Sequence, residues 1–243
     1  LARSLSVAQG STRCAFDGFC KQNAAPGAAI HAPGEFPCAH RHVKAGQVLY
    51  RAGDELHSIY PVKAGCLKAT FPAEGSRDQV VGFYMRSDLV GLDAIGSGKY
   101  ATTVTALEDS EVCMLPYMQL EDHCQQNHSL RRRFESLLGR ELNTDKGSMA
   151  MLGSMTAEER MATFILNMSA RFSALGYSAS EFRIQMTRDD MGSYLGLRLE
   201  TVSRILHRLQ DLKLIAINGR ELQILDRSAL EGVSHARGEP RPK

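Results

Sequence analysis

The chain has 243 residues, room for one large domain or two modest ones, and its 43% hydrophobic and 23% charged content is that of an ordinary globular protein. No run approaches the roughly 18 consecutive apolar residues of a membrane-spanning helix, and a net charge of +2 confines any basic surface to a local patch. Residues 1–12 lack an apolar core and a secretory cleavage pattern, so a cytoplasmic location is expected, with no membrane partner. The six cysteines are then expected as thiols or metal ligands, not disulfides. Leu1 is not an initiator methionine, so the natural start is expected to be missing or processed.

Residues 1–42, rich in Ala, Gly, Pro, Cys and His, form an N-terminal cysteine-containing segment with little periodicity. From Val43 to Pro116 the texture changes to short runs of β-forming residues: Gln47–Tyr50, Ser58–Val62, Cys66–Phe71, Gln79–Tyr84, Thr102–Leu107 and Glu111–Leu115. Turn signals such as Ala52-Gly-Asp54 and Lys63-Ala-Gly65 separate them, which predicts a β-barrel, sandwich or roll over 43–116. Residues 117–154 follow as a helical region, with helical periodicity from Tyr117 to Gly153. Leu138, Leu142, Asp145, Met149 and Leu152 recur at alternating spacings of four and three, the pattern of a coiled-coil seam. Gly139 and Gly147 weaken this helix by about 1 kcal/mol each, so it needs packing, either on the β domain or on a second copy of itself. Thr156-Ala-Glu-Glu159 is a capping-box start. It opens a helix to about Phe172 with Met161, Phe164, Ile165 and Met168 on one face, and Phe182–Met186 reads as a short strand.

Thr187-Arg-Asp-Asp190 is a second capping box, opening a short helix that Gly196 interrupts. The next helix, from about Leu199 to Leu212, turns Val202, Leu206 and Leu209 inward. Two short amphipathic helices joined through a glycine form a helix-turn-helix. The outward face of the second carries Arg198, Glu200, Thr201, Ser203, Arg204, His207 and Arg208. Side chains of these types can read base edges: Arg spans two guanine acceptors, Glu accepts from the cytosine amine, and Ser serves either way. Arg208 and Lys213 lie further along and suit phosphate contact. Leu214–Ile217, Asn218-Gly219 and Leu222–Leu225 read as a hairpin wing, giving a winged helix over 155–233 and a basic, disordered tail over 234–243. The sequence contains no P-loop, dinucleotide fingerprint, paired zinc motif or nucleophile elbow, so a catalytic role is not expected.

Asp189-Asp-Met-Gly-Ser-Tyr-Leu-Gly-Leu-Arg-Leu-Glu-Thr-Val-Ser-Arg204 closely resembles the DNA-binding helices of the cyclic-AMP receptor/fumarate-and-nitrate-reduction (CRP/FNR) superfamily. Ala52-Gly-Asp-Glu-Leu56, Asp88–Gly98 and Ala157-Glu-Glu-Arg160 resemble its anaerobic branch, and the likeness covers roughly residues 43–230. The resemblance implies an α+β chain: a β-roll sensor domain of the jelly-roll, cyclic-nucleotide-binding type, a long dimerisation helix and a C-terminal winged helix-turn-helix. It implies a homodimeric transcription regulator whose Glu200, Ser203 and Arg204 read TTGAT-type half-sites of an inverted repeat in promoter DNA, with activator or repressor left open by the sequence. The half-sites would stand about one helical turn apart. RNA polymerase is the implied protein partner, although Arg77 stands where a relative carries an acidic polymerase-contacting residue.

Relatives that bind cyclic nucleotides hold the ribose and phosphate with a Glu and an Arg of the roll. The matching stretch, Gly91 to Ala106, has neither, so no cyclic nucleotide is expected. The anaerobic branch instead carries an oxygen-labile [4Fe–4S] cluster on four thiolates, three in an N-terminal C-x2-C-x5-C and one in the roll. By that resemblance the ligands here are Cys14, Cys20 and Cys113, with Ser11 where the first cysteine is implied. The fourth ligand is then Cys38, the Ser11 oxygen or an exogenous group. The alternatives are a regulator that works without a cluster, as a thiol or other ligand sensor, and a local sequence error over 24–42. Cys66 and Cys124 read as ordinary core or surface residues, and Cys38-Ala-His40-Arg-His42 as a weak zinc candidate. In a parallel dimer Asp145 would face its own copy, and that repulsion suggests a monomer–dimer switch.

Overall fold

The computed structural model describes residues 20–21, 36–37, 39–73 and 78–235. Two-residue strands β1 (Cys20–Lys21) and β2 (Phe36–Pro37) pair in parallel. The roll follows, with β3 (Ala39–Val43), β4 (Val48–Tyr50), β5 (Ser58–Ala64), β6 (Cys66–Phe71), β7 (Gln79–Met85), β8 (Leu89–Val90), β9 (Thr103–Ala106) and β10 (Ser110–Pro116). They form two four-stranded antiparallel sheets, in the orders β3-β10-β5-β8 and β4-β9-β6-β7. The roll therefore begins inside the segment assigned to residues 1–42, because β3 pairs along β10 from Ala39↔Met114 to Val43↔Ser110.

Alternation along β10 divides two cores, since successive strand residues face opposite sides. Val112 points into the roll with Val43, Leu67 and Val104, while Cys113 and Leu115 point out beneath the helices that follow. Inside the roll Tyr50 stacks on Tyr100 with ring centroids 3.8 Å apart and on Tyr60 at 5.7 Å. The β5–β6 turn requires glycine: Gly65 has φ 90°, and a Cβ there would stand 2.2 Å from Ser110 Oγ.

The helical region expected as one periodic stretch from Tyr117 to Gly153 is two helices, α1 (Tyr117–Gln126) and α2 (His128–Ser154). Asn127 makes the break: its side chain accepts from the amides of Ser129 at 3.0 Å and Leu130 at 3.1 Å, an N-cap that starts α2 afresh. Leu120, Cys124 and Leu130 bury against Ile59, Leu89, Cys113 and Leu115, with Phe134 and Leu137 packed on that cluster.

The C-terminal unit comprises α3 (Ala157–Ala174), β11 (Glu181–Arg183), α4 (Arg188–Leu195), α5 (Leu199–Asp211), β12 (Ile215–Asn218), β13 (Glu221–Ile224) and α6 (Arg227–Ser234). The expected capping box at Thr156 and Glu159 is present. The wing hairpin takes β11 as a third strand, in the order β11-β13-β12. Helix α6 was not expected from sequence; it is capped by Asp226 and buries Leu230. Ser234 accordingly closes a helix and does not open a tail, and residues 236–243 lie outside the described part. The core of this unit continues into the roll through Cys66, Val80, Phe83 and Met85.

Candidate nucleic-acid interface

Helices α4 and α5 are set by local chemistry. Thr187 Oγ1 accepts from the Asp190 amide at 3.0 Å, and Asp190 Oδ2 accepts from the Thr187 amide at 3.0 Å. At the other end Gly196 takes the left-handed conformation, φ 63°, that stops α4. Gly192 makes the turn tight: the Leu197 amide donates to its carbonyl at 2.8 Å, and an added Cβ would meet Leu197 O at 2.7 Å. Helix α5 buries Val202, Ile205, Leu206 and Leu209.

The opposite face of α5 gathers the residues singled out in the sequence. Arg198 occupies the N-cap; Glu200, Arg204, His207 and Arg208 are exposed, and Thr201 and Ser203 half-buried. Arg208 donates to Glu158 Oε1 at 2.6 Å, but both side chains are largely exposed, so the pair contributes little and can yield to a phosphate. Lys213 is exposed beyond the helix at φ 57°. One polar contact on this face was not anticipated: Arg188, the first residue of α4, donates through Nη1 to Ser203 Oγ at 3.2 Å. Nothing in local order signalled it, because Arg188 opens α4 at the end opposite the Gly196 turn and meets Ser203 only through the packing of the two helices.

The roll grips α4 from behind. Lys68 Nζ reaches Asp190 Oδ1 at 2.5 Å, Val80 N donates to Ser193 Oγ at 2.8 Å, and Gln79 Nε2 donates to Ser193 O. Burial pushes the Asp190 carboxyl up, but bonds from Lys68 and Thr187 outweigh it and hold the group below its ordinary value. Tyr194 packs between Phe83 of β7 and Phe164 of α3, and its hydroxyl lies 3.0 Å from Ser148 Oγ on α2. Arg171 of α3 pairs with Asp88 and donates to Phe83 O at 2.9 Å.

Along α2 the seam residues Leu142, Asp145, Met149 and Leu152 are exposed and Leu138 half-buried, so the stripe does not pack on the β domain of its own chain. Burial raises the Asp145 carboxyl above its usual value. One turn earlier Glu141 accepts from Tyr84 Oη at 3.1 Å, and burial, supplemented by Asp145 and Asp88, pushes it up to about 7.

The cysteines divide between described and undescribed positions. Cys113 is 2% exposed on β10, directly opposite His40 of β3. His40 and Lys63 both contact Glu111 Oε1, at 2.7 and 3.1 Å, so His40 is engaged in an ion-pair cluster. Cys20 lies in β1, while Ser11, Cys14, Cys38 and Arg77 fall outside the described residues. Cys66 and Cys124 are buried, and desolvation pushes the Cys66 thiol up to about 12. Among the described residues no group of three or more His, Cys, Asp or Glu stands ready to hold a metal. In the loop after β8, Asp93 Oδ2 accepts from the amides of Ala101 at 3.0 Å and Thr102 at 2.9 Å, and from the Thr102 hydroxyl at 2.9 Å.

Comparison with known proteins agrees with this architecture. Residues 40–127 match the cyclic nucleotide-binding domain family and residues 159–233 the Crp-like helix-turn-helix domain family. The transcriptional activator protein Anr of Pseudomonas protegens is 41% identical over 186 residues, 76% of either chain. The fumarate and nitrate reduction regulatory protein of Escherichia coli K12 is 42% identical over 188 residues, 77% of this chain and 75% of that one. The structure of FixK2 from Bradyrhizobium japonicum superposes with a TM-score of 0.76 at 27% identity, over 83% of this chain and all of the other. Among the described residues no helix is long and apolar enough to cross a membrane. The chain belongs to the CRP/FNR family of helix-turn-helix transcription regulators, in the company of the fumarate and nitrate reduction proteins, and is not an enzyme.

Proposed function

We propose that this chain is a homodimeric activator that binds an inverted TTGAT-type repeat in promoter DNA and engages RNA polymerase there. The observation that carries the reading is the exposed face of α5, where Glu200, Ser203 and Arg204 stand together beside a wing. Arg198 and Thr201 flank that trio at the start of the helix, and Arg208 contacts phosphate. Arg204→Ala is expected to weaken binding to the inverted repeat by about 1–3 kcal/mol and to leave binding to unrelated duplex nearly unchanged. Equal losses on both DNAs in an anisotropy titration would defeat the assignment.

The sensing element is a [4Fe–4S] cluster on Cys14, Cys20 and Cys113, completed by Ser11 or Cys38. Bound there, it would supply oxygen-labile iron chemistry. One feature of the chain supports it: Cys113, a residue of the ligand type that iron–sulfur clusters take, shares a packed cluster with Leu130, Phe134 and Leu137, the first turns of α2. A change at Cys113 therefore bears on the start of the dimerisation helix, which carries Asp145 about four turns further along. The carboxylate of Asp93 fills the backbone nest of the roll loop, which disfavours a cyclic phosphate in the same place. Ser11 in place of a thiolate favours a second reading, a regulator of the same fold without a cluster. Iron and sulfide analysis of anaerobically purified protein separates the two: an iron-free, colourless preparation leaves only the second.

A further inference from the structure

Fifteen residues before Ser203 and on another helix, one cation touches the base-reading trio. Arg188 starts α4 and donates through Nη1 to the hydroxyl of Ser203 on α5 at 3.2 Å. A serine hydroxyl has one proton to donate and two lone pairs to accept with. Left alone on an exposed helix face it can turn back and donate to the carbonyl four residues earlier, here Leu199. A guanidinium has donors and no acceptor. While Arg188 occupies a lone pair of Ser203 Oγ, the hydroxyl proton cannot point toward it.

We propose that Arg188 is a specificity-determining positioning residue: by holding one lone pair of Ser203 Oγ it turns the hydroxyl proton away from itself and so favours Ser203 as a donor to a base edge presenting an acceptor. In the major groove thymine O4, guanine O6 and purine N7 are acceptors, whereas cytosine presents its amine. With one of its two lone pairs taken, Ser203 then favours thymine over cytosine at the position it faces. The inference rests on the assignment of Ser203 as a base-contacting residue.

The test uses the full chain and a set of operators carrying every base at every half-site position, titrated at several salt concentrations. Ser203→Ala first identifies the position that Ser203 reads, as the one where discrimination flattens. Arg188→Ala is expected to flatten the same position by about 3- to 10-fold, the range of one net hydrogen bond, and to leave positions read by Glu200 and Arg204 unchanged. Arg188→Lys, which keeps a cationic donor, should retain most of the preference. The double variant should discriminate no worse there than Ser203→Ala. A loss after Arg188→Ala that is uniform across all operators, with a salt slope shallower by about one, would make Arg188 a phosphate contact and overturn the inference. If Ser203→Ala flattens no position, the assignment of Ser203 itself fails and the inference with it.

Discussion

Lys68 Nζ on β6 of the roll stands 2.5 Å from Oδ1 of Asp190, the third residue of the first helix of the helix-turn-helix. The carboxylate is 7% exposed, and its other oxygen takes both the amide and the hydroxyl of Thr187. One side chain thus closes the N-terminus of α4 and ties that helix to the sensor domain. Lys68→Ala is expected to lower stability by about 1–3 kcal/mol by leaving a buried charge short of a partner. Asp190→Ala removes the cap as well and should cost more. Urea unfolding checks the order, and equal costs would contradict the double role. Because the Asp190 carboxyl is held below its usual value of 3.8, its contribution is complete above that pH. It is lost as pH falls through the depressed folded value. Acid unfolding of Lys68→Ala should accordingly begin at higher pH than that of the parent chain.

Gly192 and Gly147 make a contrasting pair. A methyl group at Gly192 would meet the Leu197 carbonyl at 2.7 Å, and backbone there cannot withdraw without opening the turn. Gly192→Ala should destabilise by about 1–3 kcal/mol and abolish operator binding. A methyl at Gly147 on α2 meets nothing within 4 Å, so Gly147→Ala should stabilise by about 0.5–1 kcal/mol. Thermal unfolding of the two variants reads both signs.

Glu141 gives the chain a pH dependence of the opposite sign to Asp190. Burial, aided by Asp145 and Asp88 and opposed by the Tyr84 hydroxyl and Arg171, raises its folded value to about 7 from 4.5. Between those values the unfolded group has already lost its proton and the folded one keeps it, so stability falls as pH rises. Glu141→Gln should remove this slope, leaving a chain relatively more stable than the parent above pH of about 7. Urea midpoints across that interval, at dilution that keeps the chain monomeric, would show an undiminished slope if Glu141 were not responsible.

Asp145 lies exposed on the α2 seam between Leu142 and Met149, and burial already raises its carboxyl in a single chain. A second Asp145 brought opposite adds a like charge in a medium less polar than water. Asp145→Ala is expected to favour the dimer by about tenfold or more, read by sedimentation velocity. An unchanged association constant would remove the charge-repulsion switch.

Much of the local architecture was readable before any coordinates. Both capping boxes, at Thr156/Glu159 and Thr187/Asp190, form as the side chains suggest, and Asn218-Gly219 turns a hairpin. The inward stripe of α5 follows from helical periodicity, gaining Ile205. Other features were less legible for identifiable reasons. The break at Asn127 sits inside apolar periodicity that runs through it, so the cap was masked by the pattern on either side. Helix α6 has only eight residues and one deeply buried anchor, Leu230, too little for a periodic signal. Arg188 entered the candidate interface only through a partner fifteen positions away on another helix.

The sequence by itself determined most strands of the roll, the two capping boxes at Thr156 and Thr187, where the glycine turn falls and which side chains α5 turns outward. Those properties depend on neighbours within a few residues, where steric and hydrogen-bonding rules act directly. Only the tertiary structure decided that the roll holds α4 through Lys68 and Ser193, that Tyr194 wedges between Phe83 and Phe164, and that Cys113 packs against the start of α2. Such contacts join residues from strands and helices far apart in the chain, and their energies arise when the domains exclude water between them, a condition with no signature in local order.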